Sequence, residues 1–246
     1  MEIKELKTQQ DLENSLTQVL NELKKTILND LDFKQAKLLT YWLNDWNEKF
    51  LKNEKQFDPK KLIKYRRGNI VSVHLGYNIG SEQGGLHYGL VIDNNNEKSS
   101  KVITIIPLRS LKDNEKPEDI DDRFELYLGD AILTDKIKFL ENQIAYLDEQ
   151  IKQSTIKDKS HILCSRKRDR YMKELNNLKK GSVAIVSQIR TISKMRIYEP
   201  IKAYHSLSNF ILSTDKLNKI DNMIKKLFLG KTIDRSIEKV NSGLQK

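Results

Sequence analysis

The chain has little of what would mark a secreted, zinc-bound or membrane protein. It carries one cysteine, Cys164, in 246 residues, with four histidines, four prolines and aromatics at 7%. A lone thiol cannot close an internal disulfide, and so few His and Cys argue against a structural zinc site. No window approaches the roughly 20 uninterrupted apolar residues that a membrane span needs. The opening MEIKELKTQQ lacks the basic-then-apolar order of a secretory leader, so the expected location is the cytoplasm. At 38% hydrophobic, the composition suits one compact core with elongated helical parts rather than a single large globule.

What the chain has in excess is positive charge, a formal +10 that is unevenly spread. Residues 1–61 carry 11 Lys and 11 Asp or Glu and are neutral. Lys157 to Lys180 holds nine basic against three acidic residues, and Lys225 to Lys246 six against two. Such segregation points towards a polyanion, with nucleic acid the first candidate and a solvated helix face the plainer one.

Hydrophobic periodicity divides the chain. Leu12, Leu16, Val19, Leu20, Leu23 and Ile27 recur at helical spacing, and Phe33, Ala36, Leu39, Leu43, Trp46 and Phe50 form a second stripe, with Trp42 and Trp46 expected as core. FDPKK ends this helical region, because Pro59 donates no backbone hydrogen bond and restricts Asp58 before it. From Tyr65 the period becomes two. NIVSVHL, LHYGLVID, KVITIIPL and RFELYL read as strands between polar turns. Ile137, Leu140, Ile144, Leu147 and Ile151 then make a coiled-coil seam, whose partner is a returning helix near Ile162 to Leu178 in an antiparallel hairpin. Arg166, Lys167, Arg168 and Arg170 decorate that arm, which reads as a solvated face able to extend a nucleic-acid footprint. GSVAIVSQIRTI restores strand, with QIRTI read as structural, and DKLNKIDNMIKKLFL reads as an amphipathic helix. The expected organisation is a helical domain at 1–63, a β-rich body at 64–229 interrupted by the hairpin at 130–180, and a mobile polar tail at 230–246.

The stretch YNIGSEQGGLHYGLVID places a hydroxyl, a carboxylate and an amide, Ser81, Glu82 and Gln83, among Gly80, Gly84 and Gly85. Glycines there allow backbone conformations barred to other residues and a close approach to a ligand. Glycine-rich hairpins are also often no more than hairpins.

The order of YRRGNIVSVHL, GSEQGG, GLVID, ITIIPLRS and SVAIVSQIRTISKMRI resembles the PemK/MazF family of toxin endoribonucleases, over residues 65–128 and 181–229. The resemblance implies an α+β fold built on a small SH3-like β-barrel with a C-terminal helix, here with added N-terminal helices and an inserted antiparallel coiled-coil hairpin. It also implies a homodimer, a cognate antitoxin, and metal-independent, cofactor-free cleavage of single-stranded RNA. Ser81, Glu82, Gln83, Gly68, Gln188, Arg190 and Thr191 follow the family pattern. Where the family carries its arginine after the glycines this chain has His87, and where it carries Thr or Ser after the strand-ending PL it has Arg109, followed by Ser110.

Cleaving RNA without metal needs a base for the ribose 2′-hydroxyl, a cation for the charge growing on phosphorus oxygens and an acid for the leaving oxygen. Histidine suits either proton role and arginine fits phosphate. The expected catalytic set is therefore His87 and Arg109, completed by Glu82 or His74. Ser81, Gln83, Ser110, Arg66 and Arg67 are expected to meet RNA, with Tyr88 stacking on a base. A family member that binds RNA or protein without cutting, and a gyrase-poison-like toxin on the same fold, are the alternatives.

Overall fold

The computed structural model describes residues 6–155 and 158–229; the tail expected at 230–246 lies outside them. The chain divides into two compact units. One holds the chain up to Phe57 together with Gly76–Gly80, and the other holds Asp58–Leu75 and the chain from Ser81 on.

The first unit is helical. Helix α1 (Gln9–Asn29) starts at a capping box in which Thr8 accepts from Asp11 N and Asp11 accepts from Thr8 N. Helix α2 (Phe33–Asp45) repeats the device with Asp32 and Gln35. Each box satisfies two backbone donors that helix geometry leaves orphaned. Neither helix has a buried residue. Phe33 is 84% exposed and Trp46 44%, so the second stripe is not the core its spacing suggests. Trp42 is different: its ring lies where a Cβ on Gly76 would come within 3.2 Å, and its centroid is 5.8 Å from that of Phe50.

The second unit is α+β, built on a seven-stranded antiparallel sheet. Its strands are β1 (Ile70–His74), β2 (Leu86–Val91), β3 (Val102–Ser110), β4 (Glu125–Gly129), β5 (Ser182–Ile185), β6 (Arg190–Ser193) and β7 (Ile197–Glu199). Hydrogen bonding runs β4-β5-β3-β2-β1-β7, with β6 also on β3. The path ends at β4 and β7, so among the described residues it does not close as a barrel. The single strand expected from GSVAIVSQIRTI is two, because the turn Val186–Gln188 separates β5 from β6. β5 pairs with Leu108–Ser110 and β6 with Val102–Ile105.

Alternation sorts the strands onto two faces. Ile70, Leu90, Ile106, Leu108, Leu128 and Ala184 build one core, which continues into the helices α3 (Thr134–Gln153), α4 (Lys159–Lys179) and α5 (Thr214–Phe228). Val71, Val73, Val91, Ile103, Ile105, Ile192 and Ile197 build the other with Tyr65. Each fully buried side chain of this size contributes roughly 1.5–3 kcal/mol. The α3–α4 hairpin forms as expected. Ile137, Leu140, Ile144 and Leu147 of α3 and Leu175 and Leu178 of α4 are buried, whereas Ile162 and Leu163 near the start of α4 are exposed. Lys136, 6% exposed, lies 2.6 Å from Glu199 and 3.7 Å from Glu174, which ties α3 to β7 and α4.

Candidate active site

Register decides which side chains meet. Val73 pairs with His87 and Gly89 with Pro107, while Ile105 pairs with Arg190. Residues opposite one another on paired strands share a face, so His87, Arg109 and Arg190 belong to one face of the sheet. Tyr88 and His74 belong to the other. A Cβ at Gly89 would come within 2.7 Å of Ile105 Cδ1 and 3.3 Å of its Cβ, so any larger residue there would push on the buried Ile105.

The glycine-rich loop is stapled down beside His87. Gln83 N donates to Gln188 Oε1 (2.7 Å), and Gln188 Nε2 donates to the Ser81 carbonyl (3.0 Å). Arg190 donates to the Gln83 carbonyl (3.2 Å), the Gln188 carbonyl (3.3 Å) and Gln188 Oε1 (2.9 Å). Gly80 and Gly85 take positive φ of 60° and 78°, which the loop's turns demand. Gly84, expected to share that role, has no positive φ. Ser81 and Glu82 are exposed at the loop.

His87 is half-buried. Its Nδ1 lies 3.3 Å from the Leu108 carbonyl and its Nε2 lies 2.7 Å from Gln83 Nε2. These contacts fit a neutral ring that donates from Nδ1 to Leu108 and accepts at Nε2. Burial pushes the imidazole pKa down, against the backbone carbonyls of Leu108 and Gly84, which favour the charged form. A neutral imidazole is a base in waiting.

Arg196 donates to the Leu75 carbonyl (3.2 Å). Burial lowers its pKa, and the like charge of Arg190 lowers it further. Two guanidiniums that feel one another favour an anion between or upon them.

Arg109 is engaged elsewhere. Nε donates to Glu125 Oε1 (2.9 Å), one terminal nitrogen to the Ser110 carbonyl and Glu115 Oε2 (3.2 and 2.7 Å), and the other to Glu115 Oε1 and Glu125 Oε2 (2.8 and 2.5 Å). A guanidinium has five N–H donors, so all are taken, and the side chain is 13% exposed. The paired carboxylates raise the Arg109 pKa, and Arg109 holds Glu115 down at about 2.

The remaining expected residues are scattered. The Tyr88 hydroxyl donates to Glu174 (2.5 Å), and its ring packs against the helical core, a placement that does not serve base stacking. Arg67 bonds Asp221 of α5 and the Ile92 carbonyl, acting as a strut. Arg66 is exposed, and Ser110 pairs with Ser182 in the sheet. His74 is near Tyr198, with ring centroids 6.4 Å apart. Gln188 and Arg190, read within QIRTI as structural although they follow the family pattern, are the residues that hold the loop. Among the described residues no cluster of three or more His, Cys, Asp or Glu is placed to hold a metal.

Residues 66–162 match the family model of the PemK-like, MazF-like toxin of type II toxin-antitoxin systems. The match spans β1 to β4, α3 and the start of α4, so Gln188 and Arg190 lie beyond it. No curated protein matches the chain.

Proposed function

Because residues 66–162 belong to the PemK-like, MazF-like toxin family, we propose that this chain is the toxin of a toxin-antitoxin pair and a cytoplasmic endoribonuclease cutting single-stranded RNA without a metal. The observation that carries this reading is a half-buried His87 hydrogen-bonded to Gln83 of a glycine-rich loop that Arg190 and Gln188 pin to the same face. We read the open, curled sheet as this chain's version of the family's SH3-like barrel. The helical chain before Asp58 is read as an added docking or dimerisation module on a barrel body that carries an inserted hairpin. An antitoxin partner and a homodimer belong to the same reading.

In the proposed reaction the ribose 2′-hydroxyl displaces the Gln83 amide from His87 Nε2. His87 takes the hydroxyl proton, and the 2′-oxygen attacks the adjacent phosphorus. Arg190, with Arg196 close by, offsets the charge that grows on the non-bridging oxygens. The 5′-oxygen leaves and takes a proton from water. The products are a 2′,3′-cyclic phosphate and a 5′-hydroxyl. Arg109, with its donors consumed, keeps its strand and the Glu115 loop in place and is not the phosphate cation.

Both ring nitrogens of His87 already have partners, which supports a second reading, a family member that holds RNA without cutting it. Cleavage of a long mixed-sequence RNA in EDTA separates the two. Wild-type cutting to cyclic-phosphate ends, with a loss of about 10²–10⁴-fold in His87→Ala, is the expected result for a proton carrier. Salt-sensitive binding with no cutting would leave the binder; neither binding nor cutting would overturn both.

A further inference from the structure

The basic residues of α4 fall into two classes. Arg168 is 2.9 Å from Asp148, Lys179 is 2.7 Å from Glu141, and Lys180 at the end of the helix is 2.6 Å from Asp113. Arg166, Arg170 and Lys173 are exposed and have no carboxylate partner among the described residues. Their spacing of four and three puts them on one face of the helix, and at 1.5 Å per residue the row is about 10 Å long. Lys167 and Arg170 flank the Tyr171 ring, at 5.5 and 5.6 Å from its centroid.

A row of like charges on a helix repels itself and destabilises the arm. Arg168, Lys179 and Lys180 are offset by carboxylates of α3 and of the loop before β4, whereas this row has none among the described residues. Ile162 and Leu163, one turn before Arg166, are exposed apolar side chains near the row; within it the charges repeat along an axis as backbone phosphates do. We propose that Arg166, Arg170 and Lys173 form a track for the phosphate backbone of single-stranded RNA, separate from the loop site. The inference rests on the RNA reading above and extends it. The track holds the strand by charge and reads no sequence, since phosphate contacts position and base contacts specify.

The test is binding of the full chain to a 2′-O-methyl RNA, which cannot be cleaved, across a salt series. Each phosphate contact on a single strand contributes about −0.7 to the slope of log K against log salt. The triple variant R166Q/R170Q/K173Q is expected to flatten that slope by about two and to weaken binding at least tenfold at low salt. R166K/R170K should keep the slope, and K24Q/K34Q/K37Q, which removes equal charge from the helical first unit, should leave it unchanged. Circular dichroism confirms that the arm remains helical. Should helicity fall, the single variant K173Q, with an expected change of about 0.7, decides the matter. If the wild type cuts and binds RNA but the triple variant keeps the wild-type slope, the track is overturned and the nuclease reading stands. An equal loss in both triple variants would reduce the effect to net charge and also overturn it. If the wild type binds no RNA, the track and the RNA reading fall together. Loss of binding to an acidic protein or to anionic vesicles, with RNA binding unchanged, would overturn the track in favour of those partners.

Discussion

Arg109 and Arg190 stand on the same face of one sheet, and their surroundings make them different chemical objects. Arg109 has two carboxylates on its fork and contributes to a cluster that is net negative. Arg190 donates to carbonyl and amide oxygens of Gln83 and Gln188, so its charge is shared with neutral groups and stays on offer. Proximity to a strand end is therefore a poor guide to which arginine meets phosphate. In the proposed function, the electrostatic company of each guanidinium makes Arg190 rather than Arg109 the cation for phosphate.

Several substitutions bear on that contrast. Arg190→Gln is expected to lower RNA cleavage by about 10²–10³-fold, the range for removing one donor that stabilises developing charge, while Arg109→Gln in protein that remains folded loses less than tenfold. Equal losses in steady-state cleavage would erase the distinction. In stability the order reverses. Arg109→Gln leaves the half-buried Glu115 and Glu125 without their cation, a loss of about 2 kcal/mol for charge-assisted hydrogen bonds, readable as a drop in melting temperature of roughly 5 °C. Arg190→Gln should shift melting far less.

Acid should narrow that stability gap. Arg109 depresses Glu115 to about 2, so the folded carboxylate binds its proton later than the unfolded one. Its stabilisation is full above the ordinary carboxylate value of about 4.3 and is lost as pH falls from there towards about 2. Denaturant melts at pH 7 and pH 3 should therefore show wild type and Arg109→Gln converging at the lower pH. A separate limb belongs to His87. Its pKa lies below the ordinary 6.5 because of burial, so cleavage that needs the neutral ring persists below pH 6.5 before falling. A kcat/KM profile with its acid limb above 6.5 would contradict that environment. The smallest effect is expected on the opposite face, where Tyr88→Phe removes one hydroxyl from Glu174 and should cost about 1 kcal/mol with cleavage unchanged.

Much of this was readable in the order of residues, because period and punctuation are local properties. The 3.6-residue stripe of Ile137 to Leu147 gave the hairpin helix, and the period-two runs around Val71, Leu90 and Ile105 gave strands with the observed inward residues. Alternation puts His87 and Tyr88 on opposite faces of β2, yet their adjacency led to both being expected at one RNA site. The stripes of α1 and α2 show the limit of this reading. Periodicity reports which face is apolar, whereas burial needs something to cover that face, and neither helix has a buried residue.

The sequence by itself determined the α+β order of elements, the glycine loop and the chemical types present near it. Tertiary structure alone decided which of those types cooperate. Gln83 meets Gln188 across 105 positions of chain and Arg109 meets Glu125 across 16. Such pairings depend on strand register and on competition between partners, and neither is encoded in a local window. A guanidinium becomes a structural clamp or an available cation according to whether a carboxylate or a carbonyl arrives beside it.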